Sequence, residues 1–558
     1  MGKVKISALG GMGENGKNMF IVEVNDRIFV LDSGLKYPEL DMYGIDAIIP
    51  NIDYLIENKE RVEGIFISHG HEDHIGALPY MLQKIHARVY ATHFTICLIE
   101  SLLQENNMDV KKYKLYRIND NKTLTFGDVS VSFYNTTHSI PESVGIVIST
   151  EDGNIVYAPD FNFGITNNNK YLTSFDKINE VNKKGVLAVL AESIGITDVD
   201  RSSNDLVFEH NFDKILNNNL HRIFVSIFST DLSRIQKIVD MSLARNRKIA
   251  IMGRKGEEVI DIAIKSGYLK IPEDKYYVFK PYDQQKNTNE IDNLVVLVTG
   301  TRNEPYNMLV RMCNGKDRFV KLTDKDQVVF VSDPLAGTLN NYINAMDELH
   351  RKNVEVDTIT KKVLRTSHAT SEDLYLLYSM LKPKYIYPII GEYRHLYRHQ
   401  DVIKSFGYTD DNIILIDNGV VSIIEDGNLT EEVDSIVSGD LYVDGSLIGN
   451  VSNELVTERE QLSEEGVVII VAYVDMRRRV VIKEPIITTK GFVHNTSEEM
   501  FNKTIGDFFM RMMKNALNKP KFAKEQLIDS LSEETKKIIF RLSKKRPSVL
   551  PILIEVKQ

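Results

Sequence analysis

The stretch Ile65-Phe-Ile-Ser-His-Gly-His-Glu-Asp-His-Ile-Gly-Ala77 constrains this chain more than any other. Ile65 to Ser68 is β-branched and aromatic, the composition of a buried strand. From Leu78 to His86 the apolar residues Leu78, Met81, Leu82 and Ile85 fall at helical spacing. The segment therefore reads as strand, sharp turn and helix start, with His69, His71, Asp73 and His74 on the turn. A lone histidine is ordinarily a surface or core residue. An ordered H-x-H-x-D-H cluster directly behind an apolar strand lets one backbone bend aim several ligands at one point. Imidazole nitrogen and carboxylate oxygen suit zinc or manganese.

Other chemistry-bearing residues also fall at predicted strand ends. Asp32 closes the run Arg27 to Asp32, His138 follows Val131-Ser-Phe-Tyr-Asn-Thr-Thr, and Asp160 follows Asn154-Ile-Val-Tyr-Ala-Pro. Strand ends at one edge of a sheet converge, so these residues are candidates for the same site. A carboxylate at Asp32 either caps the next turn or hydrogen-bonds a metal-bound histidine. The loop Gly10-Gly-Met-Gly-Glu-Asn-Gly16 lacks the Gly-Lys-Ser/Thr ending of a phosphate-binding P-loop. It is expected simply to turn between strands.

At 558 residues the chain exceeds what one core sustains. Residues 1–204 alternate strands and helices. Residues 205–358 carry apolar strands of buried, parallel type (Arg222 to Ser229, Lys248 to Met252, Leu294 to Thr299, Val328 to Ser332) separated by helical stretches, the pattern of a doubly wound α/β insert. Residues 359–445 return to strand–turn character, so the first domain is interrupted and then completed. Residues 446–463 read as a polar linker and 464–558 as a small α+β domain. There Met500, Phe508, Phe509 and Met512 are expected in a core or a subunit contact. The net charge of −10 argues against a protein that coats nucleic acid unselectively, and it leaves room for a local basic channel. Cys97 and Cys313 are far apart and form no CxxC pair. Disulfides and thiolate zinc sites are not expected, and a reducing cytoplasm fits. Neither a signal-peptide start nor a membrane-length apolar run is present, so a cytoplasmic protein without a membrane partner is expected.

Taken together, Asp32, the His69 to His74 cluster, Thr137-His138-Ser139, Asp160, Thr366-Ser-His-Ala369 and Gly391-Glu-Tyr-Arg394 resemble the ribonuclease J family. That family belongs to the β-CASP branch of the metallo-β-lactamase superfamily. The resemblance covers nearly the whole length. It implies an α/β fold: a metallo-β-lactamase αββα sandwich interrupted by a β-CASP insert, plus the C-terminal α+β domain. It also implies 5′→3′ exonuclease and endonuclease activity on RNA, in mRNA decay and rRNA maturation. By resemblance His69, His71, His138 and Asp160 hold one metal, and Asp73, His74 and a bridging Asp160 hold another, zinc or manganese in either case. Asp32 takes the role of partner to a metal-bound histidine. His368 matches the β-CASP histidine near the scissile phosphate, and Glu192 the acidic motif of the branch. Leu364, Arg365, Thr366, Ser367, His368 and Ala369, with Ser229 and Thr230, match phosphate- and RNA-contacting segments. His368, Asp73, Asp160 and Glu192 are thus the implied catalytic group.

The sequence also departs from the family pattern. The last metal ligand of the family is a histidine directly before Gly-Glu-Tyr-Arg, and that position is Ile390. Isoleucine has no lone pair to donate, so the second metal keeps only Asp73, His74 and Asp160. Pro159 stands where the family has glycine, and Thr366-Ser367-His368 replaces serine–glycine–histidine. His395 and His399 follow on a predicted helix and are not expected to replace the missing ligand. This erosion resembles the second paralogue of Gram-positive bacteria that carry two ribonucleases J. It implies weak activity and assembly with a more active paralogous subunit, as a homo- or hetero-oligomer formed through the C-terminal and metallo-β-lactamase domains.

Candidate phosphate contacts are Lys382, Lys384, Arg394 and Arg398. The clusters Arg477-Arg-Arg479 and Lys544-Lys-Arg546 are more simply read as solvated faces. Two other readings stand beside a weak ribonuclease. One is an RNA-binding or structural subunit with no turnover. The other is a hydrolase of small molecules, which the large insert and His368 disfavour.

Overall fold

The computed structural model describes residues 2–39, 42–164, 169–197, 205–280, 293–335, 337–359, 367–445, 447–449, 452–492, 497–518 and 524–556. Leu364, Arg365 and Thr366 lie outside these residues. The chain divides into two compact units, Met1–Tyr37 with Ile48–Leu441 and Pro38–Ala47 with Tyr442–Gln558.

Two sheets packed face to face form the body of the first unit. One runs in the spatial order Asn428–Ser435, Val420–Glu425, Lys3–Gly10, Met19–Val24, Arg27–Leu31, Val62–Phe66, Arg88–Ala91, Lys114–Arg117. The other runs Tyr385–Ile389, Val186–Glu192, Gly153–Ala158, Val144–Thr150, Val129–Asn135, Thr123–Phe126. Their facing side chains make one core, with Ile6, Phe20, Val22, Phe29 and Phe66 from the first sheet and Val131, Phe133, Ile146, Ile155, Tyr157 and Tyr387 from the second. Helices Phe175–Asn182, Ser371–Leu381 and Tyr393–Ser405 cover the outer face of the second sheet through Ile178, Leu374, Leu377, Val402 and Ile403. This makes Val186–Glu192 buried along all seven residues. Such a strand needs an unbroken apolar run, which Val-Leu-Ala-Val-Leu-Ala supplies.

The insert is a wholly parallel sheet in the order Tyr276–Tyr277, Lys248–Met252, Leu294–Gly300, Ile223–Phe228, Gln327–Phe330, Glu355–Thr358. After it the chain adds Tyr385–Ile389 parallel to Val186–Glu192 and Val420–Glu425 antiparallel to Lys3–Gly10. Both sheets of the first lobe are therefore finished by residues that follow the insert, as the sequence leads one to expect.

In the second unit, Val467–Asp475 lies between Ile486–Lys490, antiparallel, and Ser548–Glu555, parallel. Helices Glu498–Leu517 and Lys524–Ser543 pack on one face over Val468, Ile470, Ala472 and Val474. One detail departs from the sequence reading. The segment 446–463, read as a linker, carries most of a helix, Asn453–Glu465, with the Ser452 hydroxyl accepting from the Leu455 amide at 3.3 Å. Its apolar residues are too sparse to show a helical period, so its N-cap is the clearer local signal. Of the expected core residues here, Phe509 is fully buried, Phe508 and Met512 are half-buried, and Met500 is 60% exposed.

Candidate metal centre

Strand direction brings the candidate residues together. Val129–Asn135, Gly153–Ala158, Val186–Glu192 and Tyr385–Ile389 all run the same way, so His138, Asp160, Glu192 and Ile390 leave the second sheet at one edge. Arg27–Leu31 and Val62–Phe66 are parallel neighbours in the first sheet, and they deliver Asp32 and the His69 to His74 turn. Asp32 leaves its strand with φ 61°, a left-handed conformation that aspartate tolerates better than most residues.

Three backbone bonds hold the turn. The amides of Asn18, Ser33 and Leu35 donate to the carbonyls of Asp73, His74 and Glu72 at 3.1, 2.8 and 3.1 Å. Gly34 sits between them, and a Cβ there would lie 1.6 Å from the Asp73 carbonyl oxygen. The glycine of Val-Leu-Asp-Ser-Gly34 is therefore required by the close approach of two loops.

Among the described residues, three groups of side chains place donor atoms within 4.8 Å of one another: His69, His71, His138 and Asp160; Asp73, His74 and Asp160; and Asp160, Glu192 and His368. In the first group His71 Nδ1 lies 3.1 Å from His69 Nε2 and 3.2 Å from His138 Nε2. Tetrahedral ligands on arms of about 2.1 Å stand roughly 3.4 Å apart, so this spacing is that of imidazoles sharing a cation. The other ring nitrogens fix the tautomers. His138 Nδ1–H donates to the Ser367 carbonyl at 2.8 Å, and His69 Nδ1–H donates to the Ser68 hydroxyl at 3.0 Å. Each Nε2 is left with its lone pair toward the cluster.

Asp160 Oδ2 lies 3.6 Å from His69 Nε2, 3.6 Å from His74 Nε2 and 3.7 Å from His138 Nε2, between the first two groups. Its Oδ1 is buried and has no hydrogen-bond partner among the described residues. A carboxylate with one oxygen among converging imidazole nitrogens and the other unpartnered fits a metal. The donor set, nitrogen and oxygen without sulfur, is one that zinc and manganese accept.

Asp32 lies behind His74. Its Oδ2 accepts from His74 Nδ1–H at 2.7 Å, from the Tyr157 hydroxyl at 2.7 Å and from the Ser68 hydroxyl at 2.8 Å, and its Oδ1 accepts from the Ser68 amide at 2.7 Å. The Asn18 side-chain Nδ2 donates to Asp73 Oδ2 at 3.2 Å and lies 3.1 Å from His74 Nε2.

Burial, then the neighbouring imidazoles, hold His69 well below its ordinary range. Burial and His71 push His138 down to about 3, and His71 is lowered chiefly by burial. All three are neutral near pH 7, the state in which imidazole ligates metal. Burial opposes charge on His74 too, but Asp73, Asp32 and Asp160 outweigh it and raise His74 well above its usual value. Asp160, despite burial, is held well below the carboxylate range by His368 and His74.

Glu192 is fully buried and its oxygens are all engaged. Oε2 accepts from His368 Nδ1–H at 2.8 Å, and Oε1 accepts from the Phe161 and Ala369 amides at 2.7 and 2.9 Å. Burial works against a charge on His368, but Glu192 and then Asp160 lift it to about 9. Ser229 and Thr230 lie at the exit of the insert strand Ile223–Phe228, with the Ser229 amide donating to the Gly300 carbonyl at 3.3 Å.

Ile390 is fully buried, with φ 52°. A β-branched residue in that region is an outlier, costing about 1–3 kcal/mol. His399 belongs to none of the three donor groups. Its Nδ1 lies 2.9 Å from the Ser193 hydroxyl and its Nε2 lies 2.7 Å from the Tyr378 hydroxyl. Lys384 donates to the Gly427 carbonyl at 2.6 Å and to Asn428 Oδ1 at 2.9 Å. It stands just before the start of Tyr385–Ile389, at the opposite end of that strand from Ile390, and Lys382 caps the helix before it. Neither lysine therefore adjoins the cluster. Arg394 and Arg398 are exposed on the helix that begins at Tyr393, paired with Glu392 and Asp401.

The sequence reading did not single out Asn18, Tyr157, Ser193 or Tyr378. Each is polar in or beside an apolar run, a weak signal that gains meaning only when the strands are assembled.

Comparison with known proteins agrees along the chain. Models of the metallo-beta-lactamase superfamily, the ribonuclease J beta-CASP domain, the Zn-dependent metallo-hydrolase RNA specificity domain and the ribonuclease J C-terminal domain match residues 12–189, 220–349, 357–415 and 454–556. The protein named Ribonuclease J 2 of Streptococcus pyogenes serotype M3 is 35% identical over 566 residues, covering 100% of both chains. That of Staphylococcus epidermidis is 31% identical over 99% of this chain and 98% of its own. A crystal structure of a protein of unknown function from Enterococcus faecalis V583 shares the fold, with a TM-score of 0.52 at 17% identity over 76% of this chain and 100% of that one.

Proposed function

The chain belongs to the ribonuclease J family, and from that premise we propose that it is a metal-dependent ribonuclease of weak intrinsic activity that works beside a more active paralogous chain. Its substrate is RNA, cut by hydrolysis both from the 5′ end and internally, in a reducing cytoplasm. Among the described residues no helix is long and apolar enough to cross a membrane, and both cysteines are free.

One observation carries the catalytic reading. Two donor groups share Asp160, and a third links that same carboxylate to His368 and Glu192. We assign His69, His71, His138 and Asp160 to one cation and Asp73, His74 and Asp160 to a second. Bound there, zinc or manganese supplies Lewis acidity and a water acidic enough to be hydroxide near neutral pH. Asp32 holds His74 by Nδ1, so that Nε2 faces the cluster. Glu192 holds His368 by Nδ1, and His368, protonated at neutral pH, donates to a phosphoryl oxygen or to the leaving oxygen. Ser367, Ala369, Ser229 and Thr230 are assigned to RNA phosphates, with Leu364, Arg365 and Thr366 beside them.

Weakness follows from Ile390. The first group offers four protein donors and the second three, and a fully buried isoleucine adds none. The test is metal content per chain together with cleavage of 5′-monophosphorylated RNA as Mn²⁺ is titrated. We expect fewer than two tightly held metals in the wild type and a gain of metal and rate in Ile390→His. A wild type that already holds two metals and matches an active sister enzyme would end this reading. A second reading, an RNA-binding subunit without turnover, draws on the same residue. It prevails if residual cleavage is unchanged in His74→Ala.

A further inference from the structure

A buried chain of hydrogen bonds runs behind His368 and touches neither donor group of the metals. The Ser193 hydroxyl donates to the Ile389 carbonyl at 2.9 Å. With that proton committed, Ser193 Oγ accepts from His399 Nδ1–H at 2.9 Å. A neutral imidazole has one donor and one acceptor, so His399 Nε2 accepts the Tyr378 hydroxyl proton at 2.7 Å. Ser193 and His399 are fully buried and Tyr378 is 2% exposed, and every ring proton and lone pair along this path is used in one direction.

The path joins two helices to the ends of two paired strands. Tyr378 comes from helix Ser371–Leu381 and His399 from helix Tyr393–Ser405. Ser193 directly follows Val186–Glu192, and Ile389 closes Tyr385–Ile389. Ser193 also donates its amide to the Ile390 carbonyl at 3.0 Å. The strained Ile390 corner is thus gripped at two successive carbonyls, the over-determination that an unfavourable φ needs in order to persist. One residue upstream, Glu192 holds His368.

We propose that His399 is a positioning residue: through Ser193 it fixes the end of Val186–Glu192 and the Ile390 corner, and so sets the Glu192 carboxylate that orients His368. This rests on the role assigned to His368 above. Asparagine at position 399 can keep the donor that faces Ser193 and give up the Tyr378 end, whereas leucine gives up both.

The test uses the full chain with ¹⁵N-labelled histidine. The downfield His368 Nδ1–H resonance is assigned by its disappearance in His368→Asn. We expect it to be shifted or lost in His399→Leu and retained in His399→Asn. Steady-state cleavage should show kcat lowered about 10- to 100-fold in His399→Leu with KM nearly unchanged, and kcat restored in His399→Asn. Tyr378→Phe, which removes only the far end and keeps the bond to Ser193, should behave like His399→Asn. An unchanged His368 resonance in folded His399→Leu overturns the proposal, as does equal loss in His399→Leu and His399→Asn. If the wild type cleaves nothing, the reading of His368 as a catalytic group fails, while the resonance still decides whether His399 positions it.

Discussion

Asp32 accepts four hydrogen bonds, and only one of them, from His74, faces the donor cluster. Removing its charge while keeping its shape weakens all four, the His74 bond among them. Asp32→Asn is expected to weaken metal retention about 10- to 100-fold, read by competition with a chelator of known affinity. Retention equal to the wild type would show that Ser68 and Tyr157, and not His74, are what Asp32 serves. His399 gives a prediction in pH. Burial lowers it to about 3 from an ordinary 6.5. Between those values the unfolded chain takes up a proton that the folded chain refuses, so stability is lost as pH falls from about 6.5 toward 3. The slope is about 1.4 kcal/mol per pH unit for one such proton. Denaturant midpoints of wild type and His399→Asn should converge as pH falls through that window, and parallel curves would contradict it. At this scale the candidate cluster was legible because its spacing is local: His69 to His74 lie on one turn. Asn18, Tyr157 and Ser193 were not, because each acquires its partner from residues tens to hundreds of positions away.

The helix Ser371–Leu381 begins two residues after Ala369, and its start is fixed by a capping box. Thr370 Oγ1 accepts from the Asp373 amide, and Asp373 Oδ2 accepts from the Thr370 amide at 3.1 Å. Asp373 Oδ1 also accepts from the Phe163 amide at 3.1 Å, tying the loop after Asp160 to this helix. Asp373→Ala should therefore cost more than an ordinary cap, about 2 kcal/mol against about 1 kcal/mol for Thr370→Ala. Urea melts of both variants check the order, and equal losses would mean that the Phe163 bond contributes nothing. Strands of this chain were readable where they are buried on both faces, since continuous β-branched runs have few alternatives. Ile486–Lys490 was not, because it follows directly on Lys483-Glu484-Pro485 and only two of its five residues are apolar. Helix Asn453–Glu465 was missed for the converse reason, a polar composition that hides its period.

Among the described residues, helices Glu498–Leu517 and Lys524–Ser543 cover one face of the C-terminal sheet. On the other, Leu550, Ile552 and Ile554 are 48, 45 and 38% exposed at alternate positions of Ser548–Glu555. Three aliphatic side chains in a row suit a partner surface, in line with the proposed assembly with a second copy or a paralogous chain. Ile552→Lys is expected to reduce the sedimenting mass of the assembled protein toward the 63.7 kDa of one chain while metal content stays unchanged. A wild type that sediments as a single chain, alone and with a paralogue added, would sink that assignment. The interruption of the sandwich by an insert was legible because the alternation of strand and helix changes character there and changes back. That same division sets an order of events on the ribosome. Tyr385–Ile389, the neighbour of Val186–Glu192, is made roughly 190 residues later, an interval of about ten to forty seconds at ordinary elongation rates. Until then the nascent lobe must keep an apolar strand edge open while the insert folds beside it. Cells short of chaperones should lose this protein at that stage of its synthesis, before any metal has been bound.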